Sequence, residues 1–135
     1  MLEKKYKKRY LCDMDYYEEL PPDCPPEEAQ PSVASFYRLG SIPPKDSDFW
    51  SHRRRFPKKF FRVSECTARS VSVYDDFEAV KKLRAMYEKM AAMPIFQVDL
   101  TEKDGLVLQT SGDKHHFSWW RSTQFDLSMI KILDS

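Results

Sequence analysis

Glycine is scarce in this chain of 135 residues, which contains three. Loops that cradle phosphate with backbone N–H groups usually depend on glycine, because glycine adopts positive φ angles without steric cost. Neither a P-loop nor a dinucleotide-binding fingerprint occurs in the sequence. The scarcity of glycine therefore argues against a glycine-rich nucleotide site.

Long apolar runs are also missing. No stretch approaches the roughly 20 apolar residues that cross a bilayer, and the basic start MLEKKYKKRY has no apolar stretch behind it. The sequence therefore predicts a cytoplasmic protein without a membrane partner. The three cysteines, Cys12, Cys24 and Cys66, show no CxxC spacing. In a reducing compartment we expect them to be small buried or idle residues.

The sequence lacks the spacing of a metal or hydrolase site as well. His115 and His116 are adjacent, and His52 stands far from both in sequence. Adjacent side chains on a strand point to opposite faces, so these histidines would not converge on one ion. No GxSxG nucleophile elbow occurs either. We therefore expect neither a metal nor a cofactor.

Charge is balanced overall but uneven along the chain. The formal net charge is +1, yet an acidic tract over residues 13–28 precedes a basic cluster in FWSHRRRFPKKFFR. That cluster, which contains Arg53, Arg54 and Arg55, interleaves cations with aromatics. The pattern favours a protein or another anionic partner, with nucleic acid as the less favoured alternative. The simpler interpretation is a solvated face that pairs with the acidic tract.

Residues 1–34 differ in composition from the rest. The stretch EELPPDCPPEEAQPS contains five prolines and no hydrophobic periodicity. Proline fixes φ and removes a backbone donor, so this segment should be extended. We expect an acidic, proline-rich arm over residues 1–34, followed by a single domain over residues 35–135. The arm would lie across its own domain, or would form an oligomer by inserting Tyr16 and Tyr17 into a neighbouring chain.

Strand patterns recur through the domain. They fall at residues 35–40, 71–73, 95–100, 105–110 and 125–133. Between the third and fourth of these, TEKDG reads as a hairpin turn with Gly105 at a left-handed position.

Two helices are predicted beside these strands. The first runs over residues 46–57 with an aromatic inner face that includes Phe56. The second begins near Asp75, which has Glu78 three residues later as in a capping box. Its apolar stripe comprises Phe77, Val80, Leu83, Met86, Tyr87 and Met90. The order of elements predicts an α+β fold, a largely antiparallel sheet with two packed helices.

The motif DKHHFSWWRS, residues 113–122, holds two of the three histidines and two of the three tryptophans. On a strand, Phe117 and Trp119 would share the core face. The accessible set would then be His116, Ser118, Trp120 and Arg121. A flat aromatic beside a histidine and an arginine suits stacking on a ligand. The alternative, which we favour, is that both tryptophans plug the end of the sheet.

Two resemblances accompany these motifs. The run SECTARSVSVYDDFEAVKKL, with FYRLG before it and HHFSWW after it, resembles a family of small uncharacterised bacterial proteins over most of residues 22–133. The order of elements is similar, more remotely, to the ADP-ribosyltransferase-like fold. That second resemblance implies NAD as cofactor, with Arg38 of FYRLG on its phosphates, Ser70 of SVS at the nicotinamide ribose, and Asp126 of QFD stabilising oxocarbenium-like charge.

The sequence thus favours a small cytoplasmic binding domain. Its surface would combine the basic cluster with the region of Trp120, and the arm would act as cover or docking segment. The alternative is an ADP-ribosyltransferase-like enzyme that uses NAD, or a catalytically lapsed relative of one.

Overall fold

The computed structural model describes residues 14–134, and its strands form one six-stranded antiparallel sheet. The strands are β1 (Ala34–Leu39), β2 (Val71–Tyr74), β3 (Ile95–Leu100), β4 (Gly105–Leu108), β5 (His116–Arg121) and β6 (Lys131–Asp134). The α-helices are α1 (His52–Arg55), α2 (Glu65–Ala68) and α3 (Phe77–Met86). The predicted α+β fold with a largely antiparallel sheet is confirmed. Cys12 and the basic start of the chain lie outside the described residues.

The sheet is curled, and its inner face encloses a core. The strand order β4-β5-β2-β1-β3-β6 leaves three strands between β4 and β3. Four flat strand spacings would separate these two strands by roughly 19 Å. The connection, residues 101–104, is a turn closed by a hydrogen bond from the N–H of Asp104 to the carbonyl of Thr101, and such a turn reaches roughly 15 Å. The predicted hairpin is therefore wrong: β3 and β4 are not paired, and the turn closes the curl.

Gly105 starts β4 at this closure. Its φ is +130°, a value that residues with a Cβ rarely adopt. A Cβ would lie 2.1 Å from the carbonyl oxygen of Trp120 and 2.9 Å from Nε1 of Trp119. The predicted positive φ is confirmed, but the reason is the close approach of β5 and not a hairpin.

Aromatic side chains fill the inner face of the curled sheet. Phe36, Phe96 and Trp119 project from strands and are buried. Phe49 and Phe125 enter the same core from loops, with their ring centres 5.2 Å apart. Trp119 meets Phe125 edge to face at 4.9 Å between ring centres. Such contacts add to the stabilisation that area burial provides.

The predicted helix over residues 46–57 is wrong as one continuous element. Residues Asp46–Phe49 form a 3-10 turn, Trp50 and Ser51 are extended, and α1 follows. The hydroxyl of Ser51 accepts the N–H of the third helical residue at 3.1 Å, so a cap sits in the middle of the apolar pattern. Phe56, predicted on the inner face, is half exposed as a result.

Helix α3 packs on β1 and β2, and on Ile95 of β3, through a shorter stripe than predicted. Val80 is buried, and Phe77 and Leu83 are half-buried beside Ile95. The helix ends at Met86, which is 70% exposed. The first two turns of the predicted stripe are therefore core, and the part around Met86 is surface.

The ends of α3 are held differently from the prediction. The N-cap is Asp76, without a side-chain cap bond, and Asp75 instead places Oδ1 2.8 Å from Nδ1 of His115. The predicted cap at Asp75 is therefore wrong. Near the other end, Arg84 pairs with Asp134 of β6 at 2.8 Å, which ties the helix to the edge of the sheet.

The last predicted strand begins later than expected. Phe125 is buried in the core, Leu127–Met129 is a 3-10 turn, and β6 starts at Lys131. Asp126 caps that turn, because its carboxylate accepts the N–H of Ser128 at 2.9 Å. The prediction that the strand starts at residue 125 is wrong.

Residues 14–33, the described part of the arm, lie across the outer face of β5 and β4. Trp120 is 1% exposed and packs there with Leu106 and Ala29. The N–H of Tyr17 donates to the carbonyl of Arg121 at 3.0 Å. At the far end, Gln30 exchanges two backbone bonds of 3.1 and 2.8 Å with Val107. The described arm therefore packs on its own domain.

A disulfide between Cys24 and Cys66 fastens the arm to α2, with the two Cα atoms 5.5 Å apart. The prediction that these cysteines are idle is wrong, and no local spacing signals the bond because 42 positions separate them. The indole N–H of Trp120 donates to the carbonyl of Cys66 at 2.9 Å, so the bridge and the ring are joined. None of the helices between residues 14 and 134 is long and apolar enough to cross a bilayer.

Candidate functional site

A concave site lies between the arm and the basic cluster. It is lined by Tyr17, Glu18, Glu19, Arg53, Arg54, Pro57 and Arg69, and its volume is about 400 Å³. We call it the arginine cleft. Three guanidinium groups and two carboxylates line it, so its attraction for an anion depends on which guanidinium groups lack an acidic partner.

An ion-pair network forms one side of the arginine cleft. Nε of Arg53 lies 2.9 Å from Oε2 of Glu65, and Nε of Arg69 lies 2.8 Å from the same oxygen. Arg53 also donates to the carbonyls of Pro57 and Lys59 at 2.9 Å. The hydrogen bond from Arg53 holds the pKa of Glu65 below its usual range. One carboxylate thus faces two guanidinium groups, and positive charge remains.

Arg54 has a different environment from its neighbours. Its guanidinium carbon lies 4.4 Å from the ring centre of Trp50 and 4.9 Å from that of Tyr17. The side chain is exposed, and none of the described acidic residues forms an ion pair with it. Stacking on aromatic faces fixes the plane of a guanidinium while its in-plane N–H donors stay available. Arg54 therefore presents a preorganised fork of donors at the arginine cleft.

The arm wall of the arginine cleft is held by its own acidic residue. The carboxylate of Glu18 accepts the N–H of Ser51 at 2.8 Å and its hydroxyl at 2.5 Å. Arg69 donates to the carbonyl of Glu19 at 2.7 Å. Glu18 therefore fixes the position of the arm wall through its two hydrogen bonds with Ser51. The expectation that the acidic tract pairs with the basic cluster is wrong for the described residues, because no ion pair joins residues 14–28 to Arg53, Arg54 or Arg55.

Arg121 holds the arm in place by contacting Tyr17. Its guanidinium carbon lies 3.8 Å from the ring centre of Tyr17, and its Nη2 lies 2.6 Å from Oδ1 of Asp46. Asp46 also accepts hydrogen bonds from the hydroxyl of Tyr17 and, at 3.0 Å, from the indole of Trp50. Arg121 is 8% exposed, so its prediction as an accessible binding residue is wrong. Burial requires a pairing of this kind for a cation.

Acid should weaken this contact through Asp46. Burial raises the pKa of Asp46, but hydrogen bonds from Tyr17, Arg121 and Trp50 outweigh it and lower the pKa to about 2. Because the folded pKa lies below the unfolded one, the stabilisation is present above about pH 4 and is lost as the pH falls to about 2. We expect a loss of about 1 kcal/mol for this half-exposed carboxylate, measured by urea unfolding across that pH range. Asp46→Asn should remove this part of the pH dependence, and an unchanged profile in that variant would contradict the assignment.

The motif DKHHFSWWRS forms β5, and its two faces alternate as predicted, with Trp119 inside and Trp120 outside. The prediction that Trp120 is accessible to a stacked ligand is wrong, because the arm covers it. Ser118 is buried too. His116 is half-buried beside Tyr74, and desolvation by burial lowers its pKa.

The three residues of the transferase resemblance each form a hydrogen bond within the protein. Arg38 donates to the carbonyl of Ser72, while its Nε is buried without a partner. Ser70 is buried and donates to the carbonyl of Thr67 at 2.7 Å. Asp126 caps its exposed turn. The catalytic role of Arg38, Ser70 and Asp126 stays a prediction.

Of the predicted binding residues, Arg53 and Arg54 line the arginine cleft, whereas Arg55 lies outside it and donates to the carbonyl of Ser47 at 2.6 Å. The prediction did not include Glu65 and Arg69. Their i,i+4 spacing is a local signal of an ion pair, whereas the contact of Arg69 with the carbonyl of Glu19 has no such signal. Within residues 14–134, no group of three His, Cys, Asp or Glu side chains is placed to hold a metal ion. The chain matches no family model, no curated protein and no solved structure.

Proposed function

We propose that this protein is a small binding module that takes up an acidic segment of a partner protein in the arginine cleft. The observation that supports it most is Arg54, which lies over the rings of Trp50 and Tyr17, is exposed, and forms no ion pair with the described acidic residues. A carboxylate accepts two parallel N–H bonds from such a fork. Arg53 and Arg69, which share the single carboxylate of Glu65, supply further positive charge.

An acidic peptide suits the arginine cleft better than a nucleic acid strand. Glu18 and Glu19 line one wall and would repel an evenly charged phosphate backbone. A peptide brings separate carboxylates that can meet Arg54 and avoid this wall. The net charge of +1 over the whole chain also offers little of the long-range field on which non-specific nucleic acid binding depends.

Arg54→Ala should weaken binding of a fluorescently labelled peptide, in which glutamates are separated by serines, by roughly 10- to 30-fold. A charge-assisted hydrogen bond to a carboxylate contributes about 1.5–2 kcal/mol, which corresponds to this ratio. Fluorescence anisotropy at low ionic strength measures the two dissociation constants. Rising salt should weaken the wild-type complex, because the attraction is between charges near the surface.

Arg62→Ala is the matched control, since Arg62 is an exposed arginine of the same basic cluster outside the arginine cleft. It removes the same charge and should change the affinity less than threefold, as expected of a screened surface charge. Equal losses in both variants would mean diffuse attraction and would refute the arginine cleft as the site. Tighter binding of a single-stranded oligonucleotide than of the peptide would refute the choice of partner. Arg53 is unsuitable for this test because it holds Glu65 and two carbonyls.

An NAD-using transferase is the alternative proposal, and one observation favours it. Nε of Arg38 is buried without a hydrogen-bond partner, a costly state that an anionic ligand would relieve. Burial lowers the pKa of Arg38 to about 10, and neighbouring Arg55 adds to the lowering, so the group stays charged at neutral pH. NAD should then raise the melting temperature of the wild type but not of Arg38→Met. No shift in the wild type would end this alternative.

The cellular compartment in which the protein resides can be tested as well. The sequence predicts the cytoplasm, whereas the bridge between Cys24 and Cys66 favours an oxidising compartment, because disulfides seldom persist among reduced thiols. Rapid alkylation of cells that make the protein, followed by mass spectrometry, separates the two. Alkylated Cys24 and Cys66 would support the cytoplasm.

A further inference from the structure

A loop with exposed apolar side chains follows α1. In residues 56–63, FPKKFFRV, Phe60 is 84% exposed, Val63 53% and Phe56 51%. Large apolar side chains clustered at the surface mark a contact with a partner or a membrane. We call residues 56–63 the basic-aromatic loop.

The basic-aromatic loop carries charge of one sign. Its exposed cations, with the residue before it, are Arg55, Lys58, Lys59 and Arg62. No acidic residue occurs between residues 49 and 64. The nearest acidic residue in sequence, Glu65, is taken up by Arg53 and Arg69. The loop therefore combines protruding apolar groups with positive charge that has no acidic partner among the described residues.

We infer that the basic-aromatic loop docks the protein on a membrane surface that contains anionic lipid. The side chains of Phe56, Phe60 and Val63 enter the boundary between headgroups and acyl chains, and the cations meet the headgroup phosphates. This peripheral contact needs no spanning helix. It is independent of the proposed function, although Pro57 borders both sites.

The packing of the phenyl rings favours a membrane over single-stranded nucleic acid. Lys59 places its Nζ 5.4 Å from the ring centre of Phe56 and 5.8 Å from that of Phe61. Arg53 lies over Phe61 as well, at 4.8 Å. Bases bind such proteins by stacking on open ring faces, and here cations already cover two of the three rings. Insertion of ring edges into lipid needs no open face.

Co-sedimentation of the whole chain with lipid vesicles tests this inference. Vesicles of phosphatidylcholine with about a third phosphatidylglycerol should bind the protein at least tenfold more tightly than phosphatidylcholine alone, because several cations each contribute about fivefold. The double variant Phe56→Ser, Phe60→Ser should lower the partition coefficient at least tenfold. Both side chains are exposed, so the fold should persist, which circular dichroism checks.

Matched variants make the result specific. Met129→Ser removes a side chain that is 68% exposed elsewhere and should leave vesicle binding unchanged. Phe60→Trp should bind as the wild type does, and brominated lipid should quench the introduced indole. Arg54→Ala should keep vesicle binding even if peptide binding is lost, so that failure of one proposal is distinguishable from failure of the other. The inference would be overturned if the protein bound no vesicles, or bound neutral vesicles equally well. It would also be overturned if the Met129 and phenylalanine variants lost binding equally. Release of the protein from vesicles by an oligonucleotide would overturn it as well.

Discussion

Removal of the Cys24–Cys66 bridge is expected to lower the free energy of unfolding by about 4 kcal/mol. The bond closes a loop across 42 positions, and the loss of that closure returns conformational entropy to the unfolded chain. For a domain of this size, the melting temperature should fall by roughly 12–20 °C. The double variant Cys24→Ser, Cys66→Ser, compared with the oxidised wild type by differential scanning calorimetry, measures the effect.

Release of the arm should accompany this loss. Trp120 is covered by the arm and donates to the carbonyl of Cys66, so its fluorescence should shift to longer wavelength before the remaining core unfolds. Cys12→Ser is the control, because Cys12 takes no part in the bridge. It should leave the melting temperature within about 2 °C, because the bridge stays intact in this variant. A thiol titration that finds three free thiols in the denatured, unreduced protein would contradict the bridge itself.

Gly105→Ala should destabilise this protein strongly. The substitution forces a Cβ to within 2.1 Å of the carbonyl oxygen of Trp120 at a φ of +130°. Strain of this backbone type costs about 1–3 kcal/mol, and overpacking adds about as much. We expect a loss of at least about 3 kcal/mol in urea unfolding, or failure to accumulate as folded protein.

Gly112→Ala provides the matched comparison within the same chain. Nothing lies within 4 Å of a Cβ built on Gly112, so that variant should stay within about 0.5 kcal/mol of the wild type. Equal stabilities of the two alanine variants would mean that β4 does not approach β5 as closely as described, and the closure of the sheet would then need another explanation.

The parts of the fold that were predicted correctly follow from local sequence patterns. The strand at residues 95–100 alternates apolar and polar side chains, and β3 has these bounds. The faces of β5 also followed from alternation, since Trp119 and Trp120 lie on opposite sides of the sheet. Val80 marks the buried centre of α3 because apolar residues recur there at the helical period.

The errors at the arm and the arginine cleft concern contacts between distant parts of the chain. The partner of Cys24 lies 42 positions away, and Tyr17 reaches Arg121 across the whole domain. No periodicity records such pairs. Trp120 had the same alternation whether it faced solvent or an arm, so the sequence could assign its side of the sheet but not its cover. For this reason the sequence predicted only one side of the arginine cleft. It indicated the basic cluster, but it did not indicate that the arm forms the opposite wall.

The two backbone hydrogen bonds between Gln30 and Val107 also affect how readily this protein associates with other chains. β4 is a terminal strand of the sheet, and unpaired amide and carbonyl groups along such a strand invite other chains to add to it. By occupying Val107, the N-terminal segment blocks the growth of intermolecular ladders at that border. Loss of these two bonds would expose the edge of β4 and favour association with other chains.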